Sequence, residues 1–113
     1  MMMDLPNKQD IVFINFDPST GREIRKRRPA VVVSNQAYNR QTGLIAICPI
    51  THTNAKRIQN DKTLIPLQNQ KVDGFVNPLQ LYTFDYTARK AEKVDVMNTW
   101  TFQQVVQLIQ FIF

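Results

Sequence analysis

The segment Pro29-Ala30-Val31-Val32-Val33-Ser34 restricts this chain's fold more than any other. β-Branched residues in succession favour a strand. An apolar run without polar alternation predicts burial on both faces of a sheet. Gln9 to Asp17 is a second dense apolar stretch, rich in β-branched and aromatic residues, and it ends at the turn signal Pro18-Ser19-Thr20-Gly21. Leu44 to Ile50 predicts a third strand, ended by Pro49-Ile50-Thr51. Between the last two, Asn35 to Arg40 can form one helical turn closed by Thr42-Gly43. Thr63–Leu67, Gly74–Thr83 and Lys90–Val96 are further strand candidates, with Pro66 and Pro78 pushing theirs toward edges or bulges.

The period changes at the C-terminus. Phe102, Val105, Val106, Ile109, Ile112 and Phe113 fall at helical spacing, and Thr101 with Gln104 matches a capping box, so a helix is predicted from Thr101. Its apolar stripe is expected to pack on the parent fold. The sum is a mainly β fold with helices: a small antiparallel barrel or strongly bent sheet with a C-terminal helix. With 113 residues, and no repeat or linker, residues 1–113 are expected to form one domain. Hydrophobic content of 43% and charged content of 20% suit a globular core and argue against disorder.

Several function classes can be excluded. No run of about 18 apolar residues is present, so no membrane helix is expected. The start Met1-Met2-Met3-Asp4-Leu5-Pro6 lacks a basic and an apolar region, which predicts a cytoplasmic protein. The single cysteine, Cys48, lies in an apolar run and is expected to be buried and inert. One histidine, His52, excludes a histidine pair, and three scattered glycines exclude a phosphate-cradling loop. The carboxylates show no paired spacing for a magnesium ion, so no metal or cofactor is expected.

Fourteen Lys+Arg against nine Asp+Glu give a net charge of +5, which suits a polyanionic partner. The charge is clustered. Arg22-Glu23-Ile24-Arg25-Lys26-Arg27-Arg28 carries five positive charges and one negative in seven residues, and Lys56-Arg57 form a second group. Such loops can track phosphates in a groove, or can simply be solvated.

What remains for chemistry is arginine, threonine, a carboxylate and His52. These suffice for one reaction: cleavage of RNA by its own 2′-hydroxyl attacking the adjacent phosphorus. That reaction needs orientation, stabilisation of charge on the phosphorane, and two proton transfers. Arginine's planar fork matches phosphate oxygens, a threonine hydroxyl adds a neutral donor, and a carboxylate is the natural base.

The run Gln9-Asp10-Ile11-Val12, Asp17-Pro18, Gly21-Arg22-Glu23 and Arg28-Pro29-Ala30-Val31-Val32-Val33-Ser34, with Tyr38-Asn39 and Pro49-Ile50-Thr51, resembles the MazF/PemK (Kid) family of toxin endoribonucleases. The likeness is close over residues 9–53 and continues through Gly74-Phe75-Val76, Gln80 and Asp85. It implies a small SH3-like β-barrel of the PemK/CcdB type and a homodimer. It also implies metal-free, sequence-specific cleavage of single-stranded RNA. The implied partner is a cognate MazE/PemI-like antitoxin whose C-terminal segment occupies the RNA groove.

By motif position, the resemblance implies that Arg28 and Thr51 are catalytic and that Glu23 supports them or acts as base. Each has a structural alternative: Arg28 can pair with Glu23 or Asp17, Thr51 can cap the turn after Pro49, and Glu23 can balance its basic neighbours. His52 joins the candidates through its place beside Thr51. Arg22, Arg25, Lys26, Arg27, Lys56 and Arg57 are expected to contact RNA, and Tyr82 to stack on a base.

The chain also departs from the family. Leu79-Gln80 stand where many relatives have Asp-Gln, and Tyr82 replaces a basic residue. Asn77 and Leu79 occupy the places of an arginine and an aspartate given catalytic roles in the Kid branch, and Arg22 replaces a histidine of that branch. The Arg28/Thr51 scheme therefore fits better than a Kid-type acid/base pair. Two other functions remain open on sequence: a non-catalytic CcdB-like toxin that binds DNA gyrase, and a relative that binds RNA or antitoxin without cutting.

Overall fold

The computed structural model describes residues 5–16, 27–52 and 63–113. Among these, seven strands pair entirely antiparallel. They are β1 (Asp10–Asn15), β2 (Arg27–Val32), β3 (Leu44–Thr51), β4 (Ile65–Pro66), β5 (Phe75–Val76), β6 (Tyr82–Asp85) and β7 (Glu92–Val96). The order across the sheet is β4-β5-β3-β2-β1-β7, with β6 pairing the first half of β3.

The expected burial of the valine run on both faces is found. Ala30, Val31 and Val32 are all fully buried. Val31 joins Ile11, Cys48, Ile50, Val76, Met97, Phe102 and Val105 in one apolar cluster. Ala30 and Val32 join Val12, Ile14, Ile45 and Ile47 in another. Successive residues of β1, β2 and β3 thus feed opposite cores, as the period of a strand requires. The second core closes because the sheet curls. β1 and β6 stand three strand spacings apart, about 14 Å in a flat sheet. Yet Phe16, just past β1, meets Phe84 and Tyr82 of β6 edge-on, with ring centroids 5.3 and 5.6 Å away.

Helix α1 (Gln36–Thr42) is longer than the single turn expected. Asn35 caps it by accepting the Tyr38 N–H at 2.8 Å, and Gly43, at φ +72°, ends it in the left-handed conformation. Asn39, fully buried, donates to the Pro6 carbonyl at 2.8 Å and accepts from the Ser34 hydroxyl, which ties the N-terminal segment to α1.

Four sequence expectations need correction. β2 begins at Arg27, so Arg27 and Arg28 are strand residues rather than loop residues; they pair with Asn15 and Ile14 of β1. β3 runs one residue past the expected end at Ile50, to Thr51, with Pro49 opposite Ala30. Gly74–Thr83 is not one strand, because a turn at Asn77–Gln80 separates β5 from β6. Pro78 in that turn has no N–H to give to a ladder. Finally, helix α2 (Thr99–Ile112) starts two residues before Thr101. Asn98 precedes it without a side-chain cap bond, and Thr101 is buried inside the first turn.

The front of the α2 stripe packs as expected through Phe102 and Val105, but the stripe's end does not: Ile112 and Phe113 are exposed. Among the described residues, no helix is long and apolar enough to cross a membrane.

Candidate active site

β2 and β3 bring the two principal candidates together. Their register pairs Ala30 with Pro49, Val31 with Cys48 and Val32 with Ile47. Continued by two residues, it sets Arg28 beside Thr51, each on the strand face shared by Ala30 and Pro49. Both side chains line one cleft of about 360 Å³, together with Arg27, Pro29, Ile50 and His52. Ile50, 2% exposed, anchors this end of β3 in the core.

The two neighbouring arginines differ in their surroundings. Arg27 donates to Asn15 Oδ1 at 3.1 Å and to Glu92 Oε1 at 3.3 Å, so its guanidinium is tied to β1 and β7. Arg28 is exposed and makes no side-chain hydrogen bond or ion pair among the described residues. Among the described residues, no group occupies its donor fork. Thr51 is half-buried, and its hydroxyl donates to the carbonyl of His52 at 3.2 Å. His52 is exposed at the cleft's edge.

The other expected residues divide into two groups. Arg22, Glu23, Arg25, Lys26, Lys56 and Arg57 lie outside the described residues, as does Asp17. Tyr82 is described and does not line the cleft. Its ring, 39% exposed, lies stacked on Phe84 with centroids 5.5 Å apart, and meets Phe16 edge-on. Arg89 covers Phe84 at 4.1 Å and donates to the Phe16 carbonyl at 2.7 Å, a group the sequence did not flag. Asn15 and Glu92, which hold Arg27, were also missed, because they lie 12 and 65 residues away in sequence.

Volume alone does not select the cleft. Another of about 350 Å³ lies by Asp10 and Lys93. There the carboxylate is already satisfied by Lys93 Nζ at 3.5 Å and by the Asn7 N–H at 2.9 Å. Cys48 is out of reach of either cleft's chemistry: it is fully buried, and burial pushes its thiol up to about 12. Among the described residues, no group of three His, Cys, Asp or Glu side chains could hold a metal ion.

With this geometry, the chain matches a model of the "PemK-like, MazF-like toxin of type II toxin-antitoxin system" over residues 7–113. It belongs to this family. The toxin is 34% identical over 89 residues to the endoribonuclease toxin MazF of Escherichia coli K12, covering 79% of this chain and 77% of that one. It is 36% identical over 87 residues to the endoribonuclease toxin ChpB of the same organism, covering 75% and 74%. Its fold superposes on crystalline MazF from Deinococcus radiodurans with a TM-score of 0.82 at 28% identity, covering 97% of each chain. A MazE-MazF complex from that organism gives a TM-score of 0.84 at 28% identity, covering 97% and 96%.

Proposed function

We propose that this endoribonuclease toxin cuts single-stranded RNA in the cleft between Arg28 and Thr51, without a metal, by means of the RNA's own 2′-hydroxyl. The observation that carries this reading is that Arg28, without a side-chain partner among the described residues, lines one cleft with Thr51, next to an arginine that is tied down.

In the reaction, the bond from the 2′-oxygen to phosphorus forms as the bond to the 5′-oxygen breaks. The 2′-proton passes to a base and a proton is delivered to the leaving 5′-oxygen, giving a 2′,3′-cyclic phosphate and a 5′-hydroxyl. Two N–H groups of Arg28 can bind the non-bridging oxygens, whose charge grows in the phosphorane. The Thr51 hydroxyl exchanges its bond to the His52 carbonyl for a third bond to the same oxygens. Glu23 is the proposed base and His52 the second candidate for proton transfer. Arg22, Arg25, Lys26, Arg27, Lys56 and Arg57 track the RNA backbone, and Tyr82 takes a base outside the cleft.

The relatives crystallised from Deinococcus radiodurans include MazE-MazF complexes. The corresponding partner here is a MazE/PemI-like antitoxin whose C-terminal segment fills the same cleft; the net charge of +5 favours an acidic segment. The toxin works as a homodimer in the cytoplasm, where cutting mRNA stops translation and growth.

The test is cleavage of a long single-stranded RNA in excess EDTA by wild type, Arg28→Ala and Thr51→Ala, with product ends mapped. Site-specific cutting that survives EDTA, leaves 2′,3′-cyclic phosphate and collapses in both variants is expected. A folded, antitoxin-free wild type that leaves diverse RNAs intact would overturn the proposal.

A further inference from the structure

Gly74 lies directly behind Thr51, outside the cleft. Its φ of +136° is a conformation side chains rarely tolerate, and a Cβ built on it would sit 2.9 Å from the Thr51 carbonyl oxygen and 3.1 Å from Ile50 Cγ2. Ordinary contact starts at 3.4 Å, so a methyl group there would be about 0.5 Å too close to the backbone of Thr51.

Which side would give way is settled by how each is anchored. The Gly74 carbonyl accepts the Leu67 N–H at 2.9 Å, closing the 67–74 loop. That loop is clamped to β7 and to the start of α2. Asp95 Oδ2 accepts from Gln70 Nε2 at 2.6 Å and from the Lys71 N–H at 3.0 Å, and the Asn98 side chain donates to the Gln68 carbonyl at 2.7 Å. Ile50 is held in the core. Thr51 is the last residue of β3, half-buried, and its ladder partner Phe75 directly follows Gly74, so a displacement at Gly74 reaches Thr51 both by direct contact and through β5.

We infer that Gly74 is a positioning residue for Thr51: the missing side chain lets the clamped 67–74 loop back Thr51 closely and hold its hydroxyl at the distance from Arg28 that the reaction requires. This deepens the proposed function and rests on Thr51 taking part in cleavage. The mechanism is geometric, because a shift of about 1 Å in a reacting group can cost on the order of 100-fold in rate.

Gly43 provides the control. It also has positive φ, +72°, but nothing lies within 4 Å of its Cβ position. Gly43→Ala adds backbone strain without touching the cleft. The experiment compares wild type, Gly74→Ala, Gly43→Ala and Thr51→Ala, using one RNA oligonucleotide with a mapped cut site. It reads kcat, KM, the unfolding midpoint and the amide shifts of Thr51 and His52. Asp95→Ala is included because it loosens the clamp without introducing a clash.

Gly74→Ala is expected to lower kcat on the order of 10- to 100-fold with KM within about twofold, and to move the Thr51 and His52 amides. Gly43→Ala lowers the midpoint and keeps kcat, while Asp95→Ala lowers kcat several-fold with KM unchanged. If Gly74→Ala does not fold, Asp95→Ala with unaltered kcat overturns the inference alone. If Gly74→Ala folds and keeps kcat while Thr51→Ala loses it, Gly74 does not position Thr51. If Thr51→Ala itself keeps full activity, the site assignment is what fails.

Discussion

Exchanging Arg27 and Arg28 separately for alanine should separate stability from catalysis at adjacent positions. Arg27 donates to Asn15, which is only 6% exposed, and to Glu92 at 3.3 Å. The Glu92 pair is solvent-screened, with side chains 34% and 70% exposed, and contributes at most about 1 kcal/mol. Leaving Asn15 Oδ1 without its donor costs about 1 kcal/mol, at the low end for a buried acceptor because water can reach the vacated space. Arg27→Ala should therefore lose about 1 to 2 kcal/mol, a fall in Tm on the order of 5 to 10 °C. Its kcat should stay within about threefold, with a weaker KM from the lost charge.

Arg28 has no partner among the described residues, so Arg28→Ala should unfold within about 0.5 kcal/mol of wild type. Its kcat should fall by about 10²- to 10³-fold, the loss typical of a group that binds transition-state charge. Thermal unfolding by circular dichroism and single-turnover RNA cleavage measure both quantities on one preparation. The reverse pattern, with Arg28→Ala destabilised and still active, would refute the division of roles drawn from the hydrogen bonds.

Three further outcomes follow from the structure. Asn39→Ala strands the Pro6 carbonyl and the Ser34 hydroxyl, and should cost about 2 kcal/mol in urea unfolding without altering KM for RNA. The carboxyl of Asp95 is held below its usual range, first by the N–H groups of Lys71 and Val96 and then by Gln70. A depressed folded-state pKa stabilises the fold above the unfolded value, about 3.9, and that stabilisation disappears as pH falls through the folded value. Asp95→Asn should therefore be less stable at neutral pH and show a flatter stability profile on acidification below about pH 4. Cys48, with its thiol pushed up to about 12, should resist alkylation at pH 8 in the native state and react fully in denaturant.

Those parts of the fold governed by dense local pattern were legible from sequence. The valine run demanded two cores and has them, and the apolar spacing of Phe102 and Val105 put α2 against the sheet. Local signals failed where pairing overrode them. A cluster of charges looks like a loop, yet Arg27 and Arg28 join β2 because β1 offers a ladder and the strand end is exposed enough to solvate both. Pro49-Ile50-Thr51 looks like a strand end, yet β3 includes all three, with Pro49 opposite Ala30 and its carbonyl accepting the Asn77 N–H at 3.0 Å. Local capping signals missed the start of α2 because Asn98, directly before Thr99, spends its side chain on the Gln68 carbonyl and not on a cap.

At the site, motif order placed Arg28 and Thr51 among the candidates, and the register explains why they meet. The contrast between a tied Arg27 and an Arg28 without a partner among the described residues had no sequence signal, since Asn15 and Glu92 come from other strands. Neither had the role of Gly74, which depends on a backbone angle and on the close approach of Thr51.

The most direct test of the central claim, that RNA lies between Arg28 and Thr51, is an NMR titration. The ligand is an oligonucleotide containing the mapped cut site with a single 2′-deoxy sugar at that position, which removes the attacking hydroxyl and leaves binding intact. The largest backbone amide shifts should fall at Arg27, Arg28, Ile50, Thr51 and His52, the cleft-lining residues that carry an amide proton. Shifts concentrated instead around Asn7, Asp10 and Lys93, with the Arg28–Thr51 cleft silent, would contradict it.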